Sequence, residues 1–142
     1  MAKQSGLAWT GLSIDDSGGT LRDIRNDVTN LQFATPRGVQ DVTGIDKSAM
    51  ERLLLLADMS LTLNFVFNDD NSSADVHNVF KTVPSTSVPR EFTLNVSGQI
   101  LGTTPTATLL FTDYSLSRGQ DGSLTGTAPG VLANGAVPTW TT

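Results

Sequence analysis

The sequence predicts a mainly β chain of many short strands, and three observations predict it. Thr and Val recur throughout, and 13 Gly and 6 Pro punctuate the chain at short intervals. Several stretches alternate apolar and polar residues with a period of two, whereas helical spacing is confined to two short segments. Hydrophobic residues make up 38% of the 142 positions and charged residues only 16%. That is enough apolar material for one core, and the net charge of −5 is too small to favour disorder. One domain over residues 1–142 is expected, with 1–24 as an N-terminal arm or strand whose role the sequence leaves open.

Leu7 to Ile14 reads as a first strand, and Asp15-Asp16-Ser17-Gly18-Gly19 as the turn that ends it. Leu21 to Ile24 and Val28 to Phe33 are shorter candidates, and Thr35-Pro36-Arg37-Gly38 interrupts the pattern. A helix is predicted over 46–57. Asp46 suits the N-cap, and Ala49, Met50, Leu53, Leu54 and Ala57 recur at helical spacing. Leu55 falls on the polar face of that helix, which makes it either a tolerated exposed leucine or a contact with another subunit.

Met59 to Asn68 alternates strictly, with Leu61, Leu63, Phe65 and Phe67 on one side and Thr62 and Asn64 on the other. A polar turn, Asn68-Asp69-Asp70-Asn71-Ser72, leads into a second helix over 73–83 with an apolar stripe at Val76, Val79, Phe80 and Val83. Pro84 stops it, and a Pro/Ser linker runs to Pro89. Glu91 to Ser97 alternates again, and Gly98-Gln99 turns the chain into Ile100-Leu101. Thr106 to Ser117 is the longest strand candidate, but its phase slips between Phe111 and Tyr114, so a bulge near Asp113 is expected. Arg118-Gly119-Gln120-Asp121-Gly122 is a hairpin turn returning through Ser123 to Val131.

Composition excludes several chemistries. With no cysteine there is no disulfide, thiolate nucleophile or Cys-ligated zinc. The single histidine, His77, has neither a G-x-S-x-G elbow nor an H-E-x-x-H partner, and reads as a surface residue. The cluster Asn68-Asp69-Asp70-Asn71 lacks the spacing of a calcium loop, and Asp15-Asp16 points to opposite sides of a strand end. No catalytic, metal or cofactor residue is expected. The 14 acids outnumber 9 bases that are scattered singly, which argues against tight nucleic-acid binding. The N-terminal residues lack a signal-peptide core, and no apolar run reaches the roughly 20 residues of a membrane span, so a soluble protein is expected.

The stretch Asp41-Val42-Thr43-Gly44-Ile45-Asp46-Lys47-Ser48-Ala49-Met50-Glu51-Arg52-Leu53 resembles the central motif of siphophage (long non-contractile tail) major tail, or tail tube, proteins. The alternating strand 57–69, the His-containing segment 74–80, the strand pair 110–118 and 121–125, and a closing Gly135-Ala136-Val137-Pro138-Thr139-Trp140 follow in the family's order. The resemblance runs over about residues 25–140; Gly6 to Asp23 lies outside it.

That family implies a β-sandwich or barrel with one flanking helix and a second short one, its sheet edges completed by neighbouring subunits. It implies hexameric rings stacked into the tube through which DNA is ejected, in a virion assembled in the host bacterial cytoplasm. Its partners would be further copies of the chain, the tape measure protein, tail terminator and tip proteins, and transiently passing double-stranded DNA, with no membrane. Subunit-interface candidates are Leu55, Leu54, Arg52, Val39, Val42, Phe65, Phe67, Tyr114 and Trp140; lumen-lining candidates are Asp41, Asp113, Asp121, Thr62 and Asn64. Rival readings are a head-completion or decoration protein, a secretion-system tube protein of related fold, and a carbohydrate-binding sandwich, for which exposed aromatics are scarce.

Overall fold

A computed structural model of the chain describes residues 3–70, 73–86 and 88–142. Met1 and Ala2, Asn71 and Ser72 of the expected polar turn, and Ser87 of the expected linker lie outside the described residues. The strands are β1 Trp9–Asp15, β2 Leu21–Asp23, β3 Val28–Ala34, β4 Arg37–Asp41, β5 Arg52–Ala57, β6 Ser60–Val66, β7 Arg90–Val96, β8 Gln99–Leu101, β9 Thr108–Phe111, β10 Ser115–Arg118 and β11 Leu124–Leu132. The α-helix, α1, is Val76–Phe80.

Nine strands form one antiparallel sheet in the order β2-β1-β7-β9-β11-β6-β3, with β10 beside β11 and β8 beside β7. Strands β4 and β5 form a separate two-stranded sheet. Among the described residues the large sheet does not close on itself: β2 and β3 end its order. The fold is mainly β, as the sequence predicts.

Alternation places the core. Leu12 and Ile14 of β1, Leu61, Leu63 and Phe65 of β6, Phe92 and Leu94 of β7 and Leu109 of β9 are buried on one side of the sheet. Val76, Val79 and Phe80 of α1 join them, with the Phe80 and Phe111 rings 4.9 Å apart. The N-terminal stretch, which the resemblance does not reach, is thus part of the core through β1.

Buried polar groups tie the elements together. Asp27 Oδ2 accepts from the Val76 amide at 2.9 Å, and Oδ1 from Asn68 Nδ2 at 2.8 Å, joining the start of β3 to the start of α1. Asp75 caps that helix, accepting from the Asn78 amide at 2.7 Å. Arg90 lies buried beneath α1, donating to the carbonyl oxygens of Asp15 (2.8 Å) and Val79 (2.6 Å), with its guanidinium carbon 5.7 Å from the centre of the Phe80 ring. These bonds satisfy groups that would otherwise be costly to bury.

Three expectations need correction. The helix predicted over 46–57 is absent: residues 52–57 are strand β5, and Lys47 N–H bonds Gly44 O in the turn before it. Thr35 and Pro36 interrupt the strands as expected, between β3 and β4, but Arg37 and Gly38 already belong to β4. The phase slip at Asp113 is a full interruption between β9 and β10, rather than a bulge within one strand.

Candidate assembly interface

The β4–β5 hairpin is made by local pairing alone. Val39 faces Leu54, Gln40 faces Leu53 and Asp41 faces Arg52, with an irregularity between Arg37 and Val39. Thr43 fixes the far end: its hydroxyl accepts from the Glu51 amide at 2.8 Å and donates to Asp41 Oδ1 at 2.6 Å. The Thr43 hydroxyl and then its amide hold the Asp41 carboxyl below the usual carboxylate range. At the near end Arg37 donates to the Leu55 carbonyl from Nε and Nη2, at 3.0 and 2.9 Å.

Every residue of both strands is exposed. Leu56 is 92% exposed, Leu54 61% and Leu55 44%. Directly opposed residues share a face, so Val39 and Leu54 make one face apolar while Leu53 does so on the other. Arg37, Gly38 and residues 54–57 line an open depression of about 840 Å³. An isolated two-stranded hairpin is marginal in water, and this one exposes leucine on both sides. Leu53, Leu56, Met50 and Ile45 are exposed with them; the sequence pattern placed Met50 and Leu53 on the apolar stripe of a helix and none of the four among the interface candidates.

A second surface lies on the large sheet, on the side away from the core. Cross-strand partners there form continuous rungs: Asn30–Asn64–Thr127–Ser115, Gln32–Thr62–Pro129, and Val66–Thr125–Ser117. Thr62 and Asn64 are brought together on this face. Gly126 permits the tight stack behind it, because a Cβ there would lie 2.5 Å from both the Phe65 ring and the Ser115 carbonyl. The β10–β11 turn closes at Gly122, whose φ of +92° suits glycine.

The remaining candidates are dispersed. Phe65 is fully buried, so its side chain belongs to the core and cannot meet a neighbour. Phe67 and Tyr114 are half-buried in an aromatic cluster with His77: the His77 and Phe67 rings are 5.0 Å apart, and His77 Nδ1 lies 3.0 Å from the Tyr114 hydroxyl. His77 is therefore a wedge between elements, not the solvent-facing residue expected. Burial, then the nearby Asp75 and Asp69 charges, push the Tyr114 hydroxyl up to about 12. Trp140 packs against Phe33, which in turn meets Trp9. Val42 sits at the end of the β4–β5 hairpin, its amide bonded to Glu51 O.

Asp113 is exposed between β9 and β10, and Asp121 in the β10–β11 turn, where its Oδ1 accepts from the Ser123 amide at 3.1 Å. Asp41 and Asp121 thus serve turns at the ends of hairpins, away from the face that holds Thr62 and Asn64. Asn68 likewise builds a turn, accepting from the Asp70 amide at 3.1 Å.

No protein-family model matches the sequence, and no curated protein matches it. Solved structures do. A chain from the tail of an empty gene transfer agent particle, computed with helical refinement and C6 symmetry, is 15% identical and superimposes with a TM-score of 0.69 over 99% of this chain and 100% of its own. A chain from the virion of a native gene transfer agent particle is 15% identical, with a TM-score of 0.66 and the same coverage. Over its whole length the chain has the fold of these gene transfer agent chains, consistent with the tail tube resemblance in its sequence.

Proposed function

We propose that this chain is a structural protein of a phage-like tail, the repeating subunit of a tail tube made of stacked, six-fold rings that conducts DNA out of a virion. The observation that carries the reading is the β4–β5 hairpin, which exposes leucine on both faces and, among the described residues, pairs only with itself. Such an element is stable when other copies cover it. Burying a leucine side chain contributes about 1.5–3 kcal/mol, so four leucines per subunit supply a strong drive to associate.

Sheet geometry is consistent with a tube. Among the described residues the ribbon β10–β11–β6–β3 has free edges at β10 and β3, and free edges invite strand pairing with another copy. Six copies, as in the C6 tail that shares this fold, would set about 24 strands around an axis. At a spacing of about 4.8 Å and a tilt of about 40°, the backbone circle is roughly 40–50 Å across. Side chains on both walls leave room for a duplex. Stacking that never closes along the axis gives a filament.

The hairpin tests the reading. Replacing Leu53, Leu54, Leu55 and Leu56 together by Ser should leave a folded monomer with an unchanged thermal midpoint that forms no rings or tubes. Full-length tubes from this variant would overturn the proposal.

A further inference from the structure

We propose that Met50 is a redox-sensitive modification site: peroxide converts its thioether to the sulfoxide, and a subunit so oxidised does not assemble until the sulfoxide is reduced. The inference rests on the tube reading above and adds a chemical condition that a subunit meets before it joins.

Reactivity is set by composition and exposure. The chain has no cysteine, so thioether sulfur is the most readily oxidised group left to it. Of its methionines, Met50 and Met59 lie among the described residues, and their surroundings are opposite. Met59 is fully buried in the core, whereas Met50 is 55% exposed just before β5. The sulfur attacks one oxygen of hydrogen peroxide and the O–O bond breaks. A proton passes from the bound oxygen to the departing hydroxide, which leaves as water; sulfur loses the electron pair that the peroxide gains. In the reverse step two thiols become a disulfide and the sulfoxide oxygen leaves as water.

The consequence follows from what Met50 touches. Its Sδ lies 3.9 Å from Thr43 Oγ1. That hydroxyl clasps the β4–β5 hairpin, accepting from the Glu51 amide at 2.8 Å and giving its proton to Asp41 Oδ1 at 2.6 Å. A thioether is a weak acceptor and does not compete for the proton. A sulfoxide oxygen is a polar acceptor carried on the same sulfur, so oxidation sets a competitor beside the clasp. It also puts a dipole among the exposed apolar side chains of this hairpin, which include Ile45, Leu53 and Leu54. Covering that dipole with another copy is unfavourable unless it finds a donor there. Among the described residues the hairpin pairs only with itself, so the core stands unchanged and association is what oxidation alters.

Purified subunits are treated with hydrogen peroxide, oxidised positions are read by peptide mass spectrometry, and assembly by sedimentation and electron microscopy. Met50 should oxidise about tenfold faster than Met59 or more, because susceptibility follows exposure. The thermal midpoint should stay within a few degrees, while sedimentable tubes fall about tenfold or more. Methionine sulfoxide reductases for both epimers, supplied with a dithiol, should restore assembly. Met50→Leu keeps the size and apolarity without the sulfur, and should assemble equally well before and after peroxide.

Subunits that carry Met50 sulfoxide and still assemble like untreated ones would overturn the proposal. So would Met50→Leu subunits that lose assembly after peroxide, since the damage then lies elsewhere, or a loss that the reductases do not reverse. Untreated protein that forms neither rings nor tubes overturns the tube reading and this inference with it, a result told apart by the absence of any oxidant.

Discussion

Asp27 shows how one side chain can organise this fold. Its carboxylate is buried and takes hydrogen bonds from the Val76 amide and the Asn68 side chain, both far from Asp27 in sequence. Asp27→Ala leaves those donors buried without partners, so urea denaturation should show a loss of about 2–4 kcal/mol. Tyr114, the chain's one tyrosine, makes a pH prediction. Its hydroxyl is pushed up to about 12 in the folded state, first by burial and then by Asp75 and Asp69. A raised pKa stabilises the fold fully below the unfolded value of about 10, and that contribution is lost as pH rises through about 12. Ultraviolet titration should therefore give a midpoint near 12 in the native protein and near 10 in urea, and Tyr114→Phe should reduce the alkaline loss of stability. Leu55→Asp should leave the thermal midpoint within a few degrees while sharply reducing sedimentable assembly, since Leu55 is exposed on β5. Leu55 drew notice in the sequence as a leucine out of place on a helix; its exposure stands although the helix does not.

Elements differ in how openly the sequence announces them, and the difference is physical. Strands β6 and β7 are legible because each buries one side, so selection for the core writes a period of two into Leu61, Leu63 and Phe65 and into Phe92 and Leu94. Helix α1 is legible from the Val76, Val79, Phe80 stripe, though it is shorter than predicted. The hairpin turn at Gly122 follows from Asp121-Gly122. Strand β5 is not legible, because nothing among the described residues covers it and neither face is written as polar. Its four leucines fit a helix as well as a strand, and only the register with β4 and the Thr43 clasp decide between them. The grouping of Thr62 with Asn30, Thr127 and Ser115 was hidden for another reason: it depends on which strands lie side by side. Hydrogen exchange tests the account of β5. In the free subunit the amides of 37–57 should exchange orders of magnitude faster than those of β6, and they should become protected on assembly.

At the scale of the whole molecule, the chain has a core of its own, but among the described residues it leaves two things incomplete: a hairpin with no covering partner and an open sheet with free strand edges. Further copies of the same chain complete both in the proposed tube. Of the gene transfer agent chains that share the fold, the one from the empty particle's tail was refined with C6 symmetry. The most direct measurement is electron microscopy of the purified, concentrated protein, with and without a fragment of native tail to seed growth. The account predicts hollow tubes or six-fold rings with a central bore wide enough for a duplex. Particles that remain single subunits under both conditions, at concentrations where light scattering excludes rings, would contradict it.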